Sequence, residues 1–369
     1  MQLASNISDM AYKTATICFW SGTGNSYRVA NWLGKIADTR GLKTRIISLE
    51  KAKSEKLLSA EKESFIAIVF PTHGFTAPWH VLKTVWKLPQ GNGTHVFCLA
   101  TRAGLKFGPL FIPGISGSAS FIIALLLLLK RYKVRGAMSV DMPSNWFSLH
   151  PIQCLKKHEA IIDRAEHKVA DFMEKVFSHS KIWFTGNNLY ETIFGMLLSF
   201  ISIAYLLMGR FFLAKLFFAN NNCDGCGICA QNCNVKAIAM RGKDRYMPFW
   251  KYKCESCMKC AAICPQNAIE AGHSWGVILY FISAFPISVY LMSMIGFDSA
   301  SINSPDKILV CNVLDIIYFY PAIFISYYIF SLLVRIPLLN YFFTNTSMTH
   351  LPFWGRYREP KTKLKELSQ

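Results

Sequence analysis

Two cysteine runs constrain this chain more than any other feature of its 369 residues. The first reads Cys223-x2-Cys226-x2-Cys229-x3-Cys233. The second reads Cys254-x2-Cys257-x2-Cys260-x3-Cys264-Pro265, so eight of the twelve cysteines fall into two copies of one spacing. Both copies continue to an Ala-Ile pair, Ala237-Ile238 and Ala268-Ile269, which makes them an internal repeat offset by 31 residues. Three closely spaced thiols followed by a fourth suit a polynuclear iron-sulfur centre. Structural zinc favours two separated Cys-x-x-Cys pairs in a tetrahedral site. Disulfides do not persist in a reducing cytosol. Cys18, Cys98, Cys154 and Cys311 have no motif partner and read as packing residues.

The runs resemble those of bacterial-type dicluster ferredoxins, an α+β fold. There, the first three cysteines of a run hold one 4Fe-4S cluster and the fourth ligates the other. The resemblance implies two 4Fe-4S clusters, one on Cys223, Cys226, Cys229 and Cys264, the other on Cys254, Cys257, Cys260 and Cys233. Asn234 stands where the pattern has proline after the fourth cysteine, which alters the local backbone around Cys233 and leaves its thiol in place.

Upstream, apolar β-rich runs at 14–20, 43–49, 65–70, 95–100 and 134–140 alternate with helix-length segments. Five strands in βαβ rhythm predict a doubly wound α/β domain with a parallel sheet, its ligand site just beyond the carboxyl ends of the strands. The first strand runs into Ser21-Gly22-Thr23-Gly24-Asn25-Ser26, followed by a helical pattern. Glycines admit an anion close to the backbone, the helix start directs N–H groups at it, and three hydroxyls add donors. The loop lacks the Gly-Lys-Ser/Thr ending of a nucleoside-triphosphate loop. It has Tyr27 where a dinucleotide fingerprint needs a third small residue. Lysine-free and rich in hydroxyls, it suits a terminal phosphomonoester.

These residues resemble the FMN phosphate loop of flavodoxins, over roughly 14–146. The third strand exits into Thr72, His73, Gly74, Phe75 and Trp79, and the fourth into Thr101, Arg102, Ala103 and Gly104. In flavodoxins these two loops flank the isoalloxazine. The resemblance therefore implies Phe75 or Trp79 stacked on the ring and backbone N–H groups of both loops at its polar edge. Asp141-Met-Pro-Ser-Asn-Trp146 is similar to the segment that closes this domain in flavodoxin–ferredoxin fusions.

A content of 52% hydrophobic and 14% aromatic residues points to some membrane contact. The uncharged stretch 107–129 is broken by Pro109, Pro113, Gly114 and Gly117, so it reads as a buried crossover helix between strands four and five. Residues 275–297 and 316–334 are long enough to span and form a predicted hairpin with both ends in the cytosol. Residues 189–219 read as a re-entrant or in-plane linking helix, since a crossing there would put flavin and clusters on opposite sides. The formal charge of +18 belongs to no nucleic-acid motif. Its cluster from Arg335 through Arg356, Arg358, Lys361, Lys363 and Lys365 fits the positive-inside rule and anionic lipid. The residues after Met1 do not read as a secretory leader, so the first domain is expected to stay in the cytosol.

The expected organisation is a flavodoxin-like FMN-binding domain (1–180), a linking hydrophobic helix (181–219), a dicluster ferredoxin domain (220–273), a transmembrane hairpin (274–335) and a basic cytoplasmic tail (336–369). Together these predict a membrane-anchored electron-transfer protein at the cytoplasmic membrane, with a redox protein as donor or acceptor and no nucleic-acid partner. An oxidoreductase reducing quinone is the alternative enzyme, although no acid–base constellation supports it. A cluster-based sensor or scaffold is the other alternative, and the phosphate loop argues against it.

Overall fold

The computed structural model describes residues 12–49, 63–178, 180–242, 246–284, 294 and 305–357. Its first body is a parallel sheet of β1 (Thr14–Phe19), β2 (Lys43–Ser48), β3 (Ser64–Pro71), β4 (His95–Phe107) and β6 (Lys133–Pro143), in the order β2-β1-β3-β4-β6. That order is the doubly wound, flavodoxin-like one, reversing between β1 and β3. α1 (Asn25–Thr39) and α4 (Leu155–Phe177) cover one face, where Val29, Leu33, Val169 and Phe172 meet Ile17, Phe65 and Phe97. α2 (Trp79–Trp86) and α3 (Ala119–Leu129) cover the other, packing Val81, Val85, Ile123 and Leu127 on Cys18, Ile68 and Cys98.

Two details differ from the sequence reading. β4 runs seven residues past the expected strand and folds back through β5 (Leu110–Ile112), antiparallel to it, so the crossover helix starts only at Ala119. Gly108, at φ 56, makes that reversal possible. Cys154 is exposed just before α4, whereas Cys18 and Cys98 are core residues as expected. The side chain of Cys311 lies outside the described residues.

The linking segment is one broken helix, α5 (Gly186–Leu197) and α6 (Ser199–Ala214), bent by 69° at the break. Within α6 the turn Tyr205–Gly209 widens to π geometry. Two antiparallel pairs follow, β7 (Phe217–Ala219) with β10 (Ile269–Ala271), and β8 (Ile238–Arg241) with β9 (Met247–Trp250). The short helices α7 (Ile228–Gln231) and α8 (Lys259–Ile263) complete this second body.

α9 (His273–Ala284) and α10 (Pro305–Leu333) run antiparallel. Trp275 stacks on Phe330 at 4.1 Å and the Tyr318 hydroxyl donates to the Ile282 carbonyl. The rest of the hairpin's first arm lies outside the described residues. Val313–Leu333 is long and apolar enough to cross a membrane by length and composition. The hairpin is not free-standing, however. Phe319, Ile323, Tyr327, Phe330 and Val334 are buried in the core of the second body, and Tyr327 donates to the Phe217 carbonyl.

The basic tail also differs from expectation. Through residue 357 it is a packed strap, starting with α11 (Pro337–Asn345). Thr349 and Arg356 bind the buried Glu270, Trp354 donates to the Phe147 carbonyl, and the Tyr357 hydroxyl reaches Asn25. Residues 358–369 lie outside the described part. The strap's polar residues had read as solvent- and lipid-facing because their partners come from distant segments.

Candidate functional site

β1 delivers the loop Ser21–Ser26 to the edge where strand order reverses. Gly24 turns through φ 109 to start α1, and its N–H donates to the Ser21 hydroxyl. Asn25 is held at both ends of its amide, donating to the Pro143 carbonyl and accepting from Tyr357 at 2.8 Å each. Ser26 and Thr101 pair through their hydroxyls at 2.9 Å, and Asn145 donates to Thr23.

This loop forms one wall of a cleft that also contains Thr72, His73, Thr101, Arg102, Ala103, Trp146, Ser256 and Cys257. The His73 and Trp146 rings lie nearly parallel, 5.7 Å apart. Burial pulls His73 down to about 4, leaving it neutral at neutral pH. The free volume is about 80 Å³. A planar ring system does not fit that volume without movement of the lining side chains.

Phe75 and Trp79 are not in the cleft. The loop bends at Phe75, φ 60, and the Phe75 carbonyl accepts from Ser118 and Ser202, while Trp79 lies under the Arg210 guanidinium at 5.0 Å. Gly74 faces away too, packed so closely on Tyr205 that a Cβ would sit 2.2 Å from its ring. Gly104 lines a separate groove of about 450 Å³ between β5 and α4, which shares only Arg102 with the cleft. The Arg102 guanidinium is turned inward, forked onto Asp141 and paired with Glu191 of α5.

The fit of a flavin rests on donor chemistry. Thr72 Oγ1, His73 Nδ1, Trp146 Nε1 and Ser256 Oγ are buried around the cleft without a hydrogen-bond partner among the described residues. Orphaned buried polar atoms are costly and mark a place for a ligand or water. With the glycine-turned phosphate loop beside them, these residues fit an aromatic phosphomonoester.

The cysteine runs repeat in conformation as well as in sequence. Gly225 and Gly227 take positive φ in the first run, and Ser256 and Met258 do so at the equivalent places in the second. Ala237 N–H points at the Cys233 sulfur at 3.2 Å, and Ala268 N–H at the Cys264 sulfur at 3.3 Å. Burial, with Cys223, Cys264 and Cys226 close by, pushes the Cys229 thiol up to about 12. Burial, with Cys233 close by, pushes Cys257 up to about 11. Burial also raises Cys254, which feels Cys257 and Cys233. The fourth cysteine of each run is thus brought to the opposite run. Among the described residues no three His, Cys, Asp or Glu side chains converge on a single metal ion.

The two bodies meet at the cleft. A Cβ on Gly22 would sit 2.1 Å from the Cys257 carbonyl oxygen. Asn234 donates to the Ser21 carbonyl at 2.9 Å and accepts from Lys259 at 2.6 Å. The Glu255 carboxylate accepts from the backbone of Trp79 and His80 at the start of α2. Residue spacing marked Asn234 only as a departure from proline and gave no signal for its bond to Ser21, nor for Tyr357 or Glu191, since each acts on a segment remote in sequence.

Residues 247–270 match the family model of the 4Fe-4S binding domain. This chain carries that domain there, spanning the second run. No curated protein matches the chain. Among solved structures, an archaeal flavodoxin is 17% identical over 44% of this chain and 98% of its own, with a TM-score of 0.31. A flavodiiron core from Synechocystis sp. PCC6803 is 13% identical over 47% of this chain and 38% of its own, with a TM-score of 0.27.

Proposed function

We propose that this chain is a membrane-anchored electron-transfer protein that holds FMN at the cleft and two 4Fe-4S clusters on the crossed cysteine sets. The observation that carries the reading is the contact of Gly22 with Cys257, which puts the phosphate loop and the second cysteine run on one cleft. FMN, when bound, exchanges electrons in pairs or singly, whereas a 4Fe-4S cluster exchanges them one at a time.

The chain's own residues bind and orient. Ser21, Thr23, Gly24 and Ser26 present hydroxyl and N–H donors to a phosphate, and Asn145 and Tyr357 hold the loop's side chains in register. His73 and Trp146 form aromatic walls, with neutral His73 offering an N–H or an acceptor but no charge. Cys223, Cys226, Cys229 and Cys264 hold one cluster; Cys254, Cys257, Cys260 and Cys233 hold the other. Outward apolar residues of the broken helix and of α9 and α10, among them Leu189, Phe200, Ile203, Ile317, Ile325 and Ile329, meet the lipid. They keep the redox bodies on the cytosolic face, within reach of a redox protein partner.

Anaerobic purification in detergent, with iron, sulfide and released-flavin analysis, tests the reading. About eight irons and one FMN per chain are expected. Eight irons without flavin leave a ferredoxin whose first body binds something else, and absence of iron sinks the reading. Replacing Thr23 and Ser26 together with alanine should lower flavin content while leaving iron unchanged.

A further inference from the structure

The lysines Lys215 and Lys259 are almost wholly buried, and Lys259 lies within the second cysteine run, between Cys257 and Cys260. Lys215 closes α6. Its ammonium donates to the Trp250 carbonyl and sits over the rings of Tyr327, Phe249 and Phe324 at 4.4, 5.4 and 5.4 Å. No carboxylate pairs with it among the described residues; burial pulls it down to about 8, the Cys254 sulfur favours its charge and Arg241 opposes it. The Lys259 ammonium donates to Asn234 and acts on Cys257.

A buried ammonium held only by a carbonyl and aromatic faces is a poor arrangement on its own terms. It becomes favourable beside a group whose net charge is negative and grows more so on reduction, as four thiolates around an iron-sulfur cubane provide. Among the described residues no buried lysine is matched to the first run in this way. The charges acting on Cys229 are its fellow cysteines, and the adjacent Asp224 is acidic. Glu255, the acidic neighbour of the second run, is offset by Arg210.

We propose that Lys215 and Lys259 give the second-run cluster the higher reduction potential of the two, so that an electron rests on the cluster beside the cleft. The inference builds on the cluster assignment above. In the step concerned, the oxidised cluster takes one electron from an external one-electron donor and gains one negative charge. The lysines stay protonated, and no covalent bond forms or breaks. Net charge and hydrogen bonding near the sulfurs are established levers on such potentials.

The test is an EPR-monitored redox titration with dithionite, at one fixed neutral pH, on the full chain in detergent. Lys215→Met should keep eight irons and lower one midpoint so that the reduced-to-oxidised ratio at fixed potential falls at least tenfold, about 59 mV for one electron. Lys215→Arg should restore it. Eight irons with both midpoints unchanged overturns the proposal while leaving the cluster assignment intact, whereas a chain that never holds iron overturns the assignment itself. Should Lys215→Met fail to assemble, Cys226→Ala decides, because it removes the first-run cluster at an exposed ligand. A surviving cluster that titrates at the higher wild-type midpoint supports the proposal, and one at the lower midpoint refutes it.

Discussion

Glu191→Ala should loosen the linking helix from the sheet more than any other single change in it. Glu191 is fully buried. One carboxylate oxygen pairs with Arg102, and the other accepts from the backbone N–H groups of Ser116 and Gly117 at 2.9 and 2.7 Å. Removing one partner of a buried ion pair costs about 3–5 kcal/mol. Arg102 would keep its fork on Asp141, which places the loss near the lower bound, while two orphaned backbone donors each add about 1 kcal/mol or more. A net loss of about 5 kcal/mol follows, a thousandfold or larger rise in local opening at roughly 1.4 kcal/mol per factor of ten. Native-state hydrogen exchange reads this directly at the Ser116 and Gly117 amides and along α5. Glu191→Gln, which keeps an acceptor, should lose roughly half as much. Protection within about fivefold of wild type in Glu191→Ala, a change near 1 kcal/mol, would refute the argument.

Three further outcomes are expected. Gly22→Ala should push the phosphate loop off the Cys257 carbonyl at a cost of about 1–3 kcal/mol, seen as weaker flavin retention together with an altered cluster EPR signal; wild-type behaviour of both would contradict the contact. Tyr357→Phe removes one hydrogen bond to Asn25, about 1 kcal/mol, so flavin fluorescence titration should give a Kd several-fold higher with iron content unchanged. His73 is neutral when folded, with burial holding it near 4 against 6.5. The unfolded chain therefore binds the extra proton first as pH falls, and stability drops between 6.5 and about 4, by about 3 kcal/mol in all. Denaturation midpoints in His73→Asn should lack that share of the acid slope.

The strands, the parallel doubly wound class and the cysteine repeat were legible because each depends on local signals: β-rich runs alternating with helix-length segments, a glycine-turned loop after β1, and a fixed thiol spacing. The aromatic walls of the cleft were not. The sequence offers Phe75 and Trp79 beside the expected strand end, but the turn at Phe75 and the packing of Tyr205 on Gly74 direct both elsewhere, and Trp146 arrives from beyond β6. The β4–β5 reversal was hidden because Phe107–Ile112 is as apolar as the helix after it. The strap was misread for a related reason. Its charges look solvated until Glu270 and Phe147, far away in sequence, are placed beneath Arg356 and Trp354.

That strap has a consequence for biogenesis. Asn25 belongs to the first turn of the first helix, yet the hydroxyl that fixes its amide comes from a residue 332 positions later. Between them lie the cysteine runs and the apolar helices α9 and α10. The sheet of the first body draws on residues 14–143, but the Ser21–Ser26 loop gains its Tyr357 restraint only once the segment beyond α10 has folded back. The restraint on Asn25 is therefore complete only when the segment ending at Tyr357 is in place.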